Sequence, residues 1–237
     1  MNSQQSNNYG GFVCDGTRMN AVTSILRSDE KLAAGKRSRA TFKSKDDSAK
    51  SKFATSRGIA AHSAMRQYLR TGQVDDLNPQ CYPFFENLHN EVSRLDLKDH
   101  LWIEGPVVDE LSHPQNGMHS AVWNKKYRYA GCPDVVSHCN GCRVLIEFKT
   151  TTDYYKDSYA YRDFKSYPSF LKWKHAAMQC DSYQCAFTQT TGFDIDAALI
   201  ITAGRDFSQL FVVENDRLPK RLTEFHKLAR DYQKLHT

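Results

Sequence analysis

Three ionisable residues, Asp134, Glu147 and Lys149, lie on either side of an Asn140-Gly141 dipeptide. Asn-Gly between two apolar runs predicts a two-residue type I′ hairpin turn, because both residues tolerate positive φ. With these two residues in the loop, Asp134 falls opposite Glu147, and their Cβ atoms are expected ~5 Å apart. Lys149 joins the same face two residues later, because side chains alternate along a strand.

This arrangement of charges needs compensation. Like charges directly opposite each other destabilise a sheet, and the run Val144-Leu145-Ile146 predicts a strand that is buried on both faces. A divalent cation bound by both carboxylates would supply that compensation, and such a cluster can bind a phosphate and activate water. A carboxyl pair that shares one proton, or a purely structural Lys–Glu ion pair, would also account for these residues.

The residues around this cluster resemble the signature of the PD-(D/E)XK nuclease superfamily. Pro133-Asp134, a turn, and then Glu147-Phe148-Lys149 match that signature. The resemblance implies an α/β fold with a restriction-endonuclease-like core, in which helices flank a central mixed β-sheet. It also implies that Asp134, Glu147 and the carbonyl of Phe148 bind Mg²⁺ or Mn²⁺. Lys149 would orient or deprotonate the attacking water and stabilise the developing charge.

Two further motifs resemble the RecB-like exonuclease branch of this superfamily. Gly58-x-x-x-His62 resembles a motif whose histidine is a metal ligand, and Gln179-x-x-x-Tyr183 resembles a motif that positions the substrate and the catalytic lysine. A lone histidine can equally be structural, although neutral imidazole is a competent ligand. Gly58 would let a backbone or phosphate come close. Arg66 shares a helix face with His62 and is a candidate for binding or positioning DNA.

The same branch carries an acidic residue on the strand before the hairpin, and Glu110 is the candidate here. The order of the motifs, together with the segment 22–26, resembles the mitochondrial genome maintenance exonuclease group and its phage relatives. The resemblance covers about residues 20–235. It implies metal-dependent hydrolysis of single-stranded DNA from a free end, in replication, repair or recombination. By the same resemblance, the product would carry a 5′-phosphate.

Two alternative functions fit the same residues. The first is a structure- or sequence-specific DNA endonuclease of the same fold, which would need a segment that reads bases. The second is a DNA-end-binding recombination accessory protein with weak catalysis, which would be indicated by loss of the Asp/Glu/Lys set. That set is intact in this chain.

Positive charge is concentrated near the N-terminus. Residues 31–57 hold nine Lys or Arg against two Asp, whereas the whole chain has a net charge of only +5. Such a segment is either a solvated run or an arm that attracts phosphates. Lys36, Arg37 and Arg39 are its candidate DNA contacts.

The residues from Tyr154 to Tyr167 interleave aromatic and basic side chains. They could form a surface loop that packs on the core. Alternatively, the rings could stack on bases while the cations meet phosphates. The second interpretation predicts that Tyr155 and Tyr159 are exposed and contact single-stranded DNA.

Composition narrows the class of protein. The chain has 237 residues, of which 40% are hydrophobic and 25% charged, as in ordinary globular proteins. No apolar run approaches the length of a membrane span, and no signal or transit pattern is visible, so we expect a cytoplasmic protein of a bacterial or phage-infected cell. An iron–sulfur cluster is not expected, because only Cys180 and Cys185 follow the Glu-x-Lys motif. A zinc site at Cys139 and Cys142 would need two more ligands.

The pattern of apolar residues predicts a single nuclease domain over residues 21–237 that follows a flexible N-terminus, residues 1–20. Residues 21–100 form its basic helical part, and residues 101–237 form its catalytic core. Helices are expected over 54–69, 83–97, 168–186 and 216–235. Besides the hairpin, strands are expected over 101–108, 118–123, 195–202 and 210–213.

Overall fold

The computed structural model describes residues 11–14, 16–35, 45–107, 121–155 and 167–236. The helices in these ranges are α1 (Val22–Gly35), α2 (Lys45–Thr71), α3 (Tyr82–Ser93), α4 (Tyr167–Thr191) and α5 (Leu218–His236). A 3₁₀ turn over Asn215–Arg217 precedes α5. The strands are β1 (Gly11–Cys14), β2 (Thr17–Ala21), β3 (Lys98–Ile103), β4 (Val122–Asn124), β5 (Tyr129–Gly131), β6 (Val135–Cys139), β7 (Cys142–Thr150), β8 (Ala197–Ala203) and β9 (Ser208–Val213).

The strands form two mixed sheets. The five-stranded sheet has the order β3-β6-β7-β8-β9, with β7 and β8 parallel and the other neighbours antiparallel. The four-stranded sheet has the order β1-β2-β5-β4. The predicted α/β class, with a mixed sheet flanked by helices, is confirmed. The second sheet was not predicted.

The hairpin of β6 and β7 has the predicted register. Cys139 pairs with Cys142, and Val135 pairs with Ile146. Asn140 and Gly141 have φ of 50° and 80°, as a type I′ turn requires. Extending the register by one residue beyond Val135 places Asp134 opposite Glu147, as predicted.

Helices cover both faces of the five-stranded sheet. Leu145 belongs to a core cluster that includes residues of α4 and α5, whereas Ile146 and Phe148 belong to a second cluster with residues of α2 and α3. Strand β7 is therefore buried on both faces, as its apolar run predicted. Helix α4 contacts both sheets, and its apolar side is buried: Phe170, Trp173, Ala177, Cys180 and Tyr183.

The N-terminal residues depart from the prediction of a flexible segment. Residues 11–14 and 17–20 lie in β1 and β2, and β2 pairs in parallel with β5. The physical reason is burial, because Cys14 and Met19 pack with Trp123 and Ala130 in a small core of their own. Residues 1–10 lie outside the described residues.

Several element boundaries also differ from the prediction. Helix α2 begins at Lys45 rather than at residue 54. Helix α3 ends at Ser93, ahead of Asp96 with a left-handed φ of 46°. Strand β3 ends at Ile103 instead of residue 108, because Glu104 has a left-handed φ of 44°.

Within the described part of the chain, no helix combines the length and the apolar character needed to cross a membrane.

Candidate active site

Asp134 lies immediately before β6, where the end of β7 continues beyond its partner strand. Its Oδ2 accepts a hydrogen bond of 2.7 Å from the backbone N–H of Phe148. Because β6 begins at Val135, this carboxylate occupies the place where a strand carbonyl would otherwise bond to β7. The bond holds one oxygen of Asp134 against the strand and leaves the other oxygen facing α2.

Helix α2 brings His62 to that second oxygen. The distance from His62 Nδ1 to Asp134 Oδ1 is 3.4 Å. The imidazole also packs edge-on against the ring of Phe148, with centroids 6.0 Å apart. The predicted proximity of His62 to the hairpin is confirmed, and its role as a metal ligand stays a prediction.

Glu104 is a third acidic residue at this point, and the sequence analysis missed it. Its backbone N–H donates to the carbonyl oxygen of Asp134 at 2.8 Å. His62, Glu104 and Asp134 each place one possible metal-ligand atom within 4.8 Å of those of the other two. Glu110, the acid chosen from the sequence, lies outside the described residues. The Gly105-Pro106 pair after an apolar run was the available signal, because it favours the end of a strand just after Glu104.

Glu147 and Lys149 lie beside this group on β7. Glu147 is only 1% exposed, and its Oε2 accepts a hydrogen bond of 2.8 Å from Lys149 Nζ. Its other oxygen, Oε1, is buried and has no hydrogen-bond partner among the described residues. An unsatisfied buried acceptor is costly, so this oxygen favours a bound cation or donor.

The buried charges change one another's affinity for protons. Burial raises the pKa of Glu147 to about 7; the Lys149 ammonium opposes this rise, and Asp134 adds to it. For Lys149, burial lowers the pKa, but Glu147 and Asp134 outweigh it and the pKa is raised. Burial also opposes the charged forms of Asp134 and His62. Their mutual attraction outweighs burial, so the pKa of Asp134 is lowered and that of His62 is raised.

Glu104 is held by Arg66, whose Nη1 donates to Glu104 Oε2 at 2.6 Å. Burial and the neighbouring Asp134 raise the pKa of Glu104, and Arg66 only partly offsets them. In this structure Arg66 therefore neutralises an acid of the site. Its predicted contact with DNA stays a prediction.

Gly58 is the point where α2 approaches the end of β7. A Cβ at this position would lie 3.1 Å from Thr150 Oγ1, which is tighter than ordinary packing. The small residue thus lets α2 lie close enough to β7 for His62 to reach Asp134.

Gln179 and Tyr183 share a face of α4, as their spacing predicted. Gln179 Nε2 donates to Tyr183 Oη at 3.1 Å. The Tyr183 ring lies over Gly131, where a Cβ would come within 2.3 Å of ring atom Cε1. This contact explains the glycine two residues before Pro133. Gln179 and Tyr183 are only 8% and 3% exposed, so here they support the strand that leads to Asp134.

The prediction that Tyr155 is exposed is wrong, since only 8% of its surface is accessible. Gln209 fixes its backbone by accepting its N–H at 2.8 Å and donating to its carbonyl at 3.2 Å. The neighbouring Tyr154 is 56% exposed and stacks on Phe207 with a centroid distance of 3.9 Å. Four other predicted DNA contacts lie outside the described residues: Tyr159, Lys36, Arg37 and Arg39.

The residues of the site fit a divalent cation. Carboxylate oxygens are the ligands that Mg²⁺ and Mn²⁺ prefer, and imidazole is a ligand for transition metals. Glu147 Oε1 is a buried acceptor that such an ion could satisfy. The acid nearest to His62 and Asp134 is Glu104, whereas the sequence predicted Glu147 and the Phe148 carbonyl as their fellow ligands.

No protein-family model matches this chain, and no curated protein does. Among solved structures, the crystal structure of SSO0001 is similar over 90% of this chain and 86% of that chain. Its sequence identity to this chain is 11%, and the TM-score is 0.33. Similarity at this level transfers neither a fold nor a function.

Proposed function

We propose that this protein is a Mg²⁺- or Mn²⁺-dependent deoxyribonuclease that hydrolyses single-stranded DNA from a free end. The observation that carries the proposal is the juxtaposition of His62, Glu104 and Asp134 with the buried Glu147–Lys149 pair. A structural ion pair alone would not require the extra carboxylates or leave Glu147 Oε1 unsatisfied.

His62, Glu104 and Asp134 would hold the cation, and Glu147, which interacts electrostatically with Asp134 and His62, would add its unsatisfied Oε1. When bound, the cation supplies positive charge to the scissile phosphate and lowers the pKa of a bound water. The backbone N–H of Phe148 and the imidazole of His62 keep the Asp134 carboxylate oriented for this task.

Lys149 contributes a fixed positive charge. Its raised pKa keeps the ammonium protonated at neutral pH, so its role is to orient water and to stabilise the developing negative charge. An ammonium that stays protonated favours the electrostatic role over deprotonation of water, the other role suggested by the sequence resemblance. Glu147 holds the ammonium in place through the 2.8 Å bond.

Tyr154 is the best described candidate for contact with a DNA base. It follows β7 by four residues, and Phe207 supports one face of its ring. Stacking on a base requires an exposed ring, which Tyr154 offers and Tyr155 does not. Contacts from Tyr159 and the basic segment stay predictions.

The test is digestion of linear and circular single-stranded DNA with Mg²⁺, with Mn²⁺ and with EDTA. Asp231→Asn is a matched control for Asp134→Asn, because Asp231 lies on the surface of α5 and pairs only loosely with Lys234, at 3.7 Å. We expect metal-dependent cleavage of linear DNA by the wild type and the control, and none by Asp134→Asn. Cleavage of circles would indicate the endonuclease alternative. End binding without any cleavage would refute the proposal and favour the accessory protein.

A further inference from the structure

A second concave site lies where the four-stranded sheet meets the last turns of α5. It is a cavity of about 440 Å³ whose lining includes Arg18, Asn20, Arg128, Tyr232, Gln233 and His236. None of these residues belongs to the candidate active site. The volume is within the range of small-ligand pockets, roughly 300–1,000 Å³.

The lining of this cavity is basic. Arg18 and Arg128 are both exposed, and no carboxylate occurs among the described residues that line the cavity. Neither arginine forms an ion pair with an acid in the described part of the chain. Two guanidinium groups without partners in a concave site favour an anionic ligand, and the planar fork of arginine matches phosphate oxygens.

The backbone holds Arg128 in an unusual conformation at the edge of the cavity. Its φ of 52° lies in the left-handed region, which Asn or Gly adopts with less strain. Its carbonyl accepts the N–H of Asn20 at 2.9 Å and so joins β5 to β2. The sequence thus places a long cation at a position where local conformation would favour a small residue.

Neighbouring residues extend the positive surface. Gln233 donates to the carbonyl of Tyr127, at 2.5 Å, which ties α5 to the turn before Arg128. Two further cations flank the Tyr127 ring, with Lys126 Nζ 5.3 Å and Arg230 Cζ 5.7 Å from its centroid. In the cavity itself, the rings of Tyr232 and His236 stack at 4.0 Å. The site therefore combines cations with aromatic surface, the combination that binds nucleotides.

We propose that this cavity binds the phosphate group of a nucleotide, which either a nucleic-acid strand or a free mononucleotide can supply. Binding of a nucleic-acid strand here rests on the proposed function. Arg128 precedes β5 and Asp134 follows it, six residues later in the sequence. An extended chain of six residues is at most about 20 Å long, so the two sites lie within that distance. A strand whose scissile phosphate lies at Asp134 could therefore place a phosphate several nucleotides away in this cavity.

The test is NMR titration of the full chain in EDTA, so that neither metal nor cleavage is involved. The probes are inorganic phosphate, thymidine 5′-monophosphate and an oligothymidylate long enough to reach both sites. We expect the backbone amides of Asn20 and Arg128 to shift on titration. The double variant Arg18→Gln/Arg128→Asn should lose this response, and Asn tolerates the left-handed φ, so the fold should be kept. Arg94→Gln is the matched control, since Arg94 is a well-exposed arginine that directly follows α3.

Each outcome has a distinct meaning. Shifts with the oligothymidylate alone support a strand phosphate, and equal shifts with the mononucleotide or inorganic phosphate support a free phosphate ligand. If the ligand is a nucleic-acid strand, the double variant should bind the oligothymidylate about tenfold more weakly. The slope of its log affinity against log salt concentration should fall by the amount expected for about one phosphate contact. No response to any probe, or an unchanged response in the double variant, would overturn the proposal. If the wild-type protein cleaves no DNA in the digestion assay but still shows these amide shifts, only the proposed nuclease function is refuted.

Discussion

Raising the pH should remove one stabilising contribution to the fold when divalent cations are absent. Glu147 is the main cause, because its pKa is about 7 in the folded chain against 4.5 ordinarily. Between these two values the folded state holds a proton that the unfolded state has released, so stability falls as the pH rises. A tenfold change in an equilibrium corresponds to ~1.4 kcal/mol, so complete loss of this contribution amounts to roughly 3 kcal/mol.

Other groups of the site modify this pH dependence without reversing it. The pKa values of His62 and Glu104 are also raised, so they add to the loss of stability as the pH rises. The pKa of Asp134 is lowered, so its stabilising contribution is lost only under acidic conditions, below its ordinary pKa of 3.8. Outside the site, burial lowers the pKa of His226 to about 4, so His226 makes stability rise with pH up to about pH 6.5 and opposes Glu147 there. The contribution of Glu147 is therefore the difference between the wild type and Glu147→Gln from about pH 5 to about pH 8.

The assay is urea unfolding in EDTA at several pH values across that window. Glu147→Gln should flatten the pH dependence, because the amide cannot release a proton. Glu224→Gln is the matched control, since Glu224 is a half-exposed acid of α5 that pairs with Lys174 of α4. Saturating Mn²⁺ should restore stability at high pH, since a ligand that binds only the folded state stabilises it. An identical pH dependence of stability in the wild type and in Glu147→Gln would refute the role given to Glu147.

Three other substitutions test the site and its surroundings. Asp134→Asn should abolish cleavage and weaken Mn²⁺ binding in calorimetry while the fold survives, and unchanged Mn²⁺ binding would remove Asp134 from the ligand set. Glu104→Gln should weaken Mn²⁺ binding more than Glu110→Gln does, and the reverse order would restore the acid chosen from the sequence. Tyr154→Ala should lower single-strand affinity by roughly 1–3 kcal/mol with an unchanged salt slope, as measured by binding isotherms; equal affinity would exclude a stacking role.

The parts of the site that the sequence predicts depend on local signals. The Asn140-Gly141 turn and the alternation along β7 are enough to place Asp134 opposite Glu147. The same kind of signal was overlooked near the N-terminus. Asp15-Gly16 lies between β1 and β2, which pair as a hairpin from Cys14 and Thr17 onward. The polar composition of residues 1–20 obscured it.

Other features depend on contacts that are distant in sequence. Glu104 joins the site because β3 pairs with β6. Gly105-Pro106 indicates where the strand ends, but no residue near Glu104 reveals which strand β3 pairs with. Tyr155 is buried because Gln209 of β9 fixes its backbone, whereas its neighbour Tyr154 stays exposed. Aromatic composition alone could not distinguish these two rings.

The architecture also explains why the site favours a cation. The end of β3, the start of β6 and the end of β7 meet at one edge of the sheet, and each contributes a carboxylate: Glu104, Asp134 and Glu147. Without a metal, this negative charge is offset by Arg66 and Lys149 and by protons, which His62, Glu104 and Glu147 all bind more tightly than usual. A cation that binds here replaces protons. The groups that make the protein sensitive to pH at this site are therefore the groups that would hold the metal.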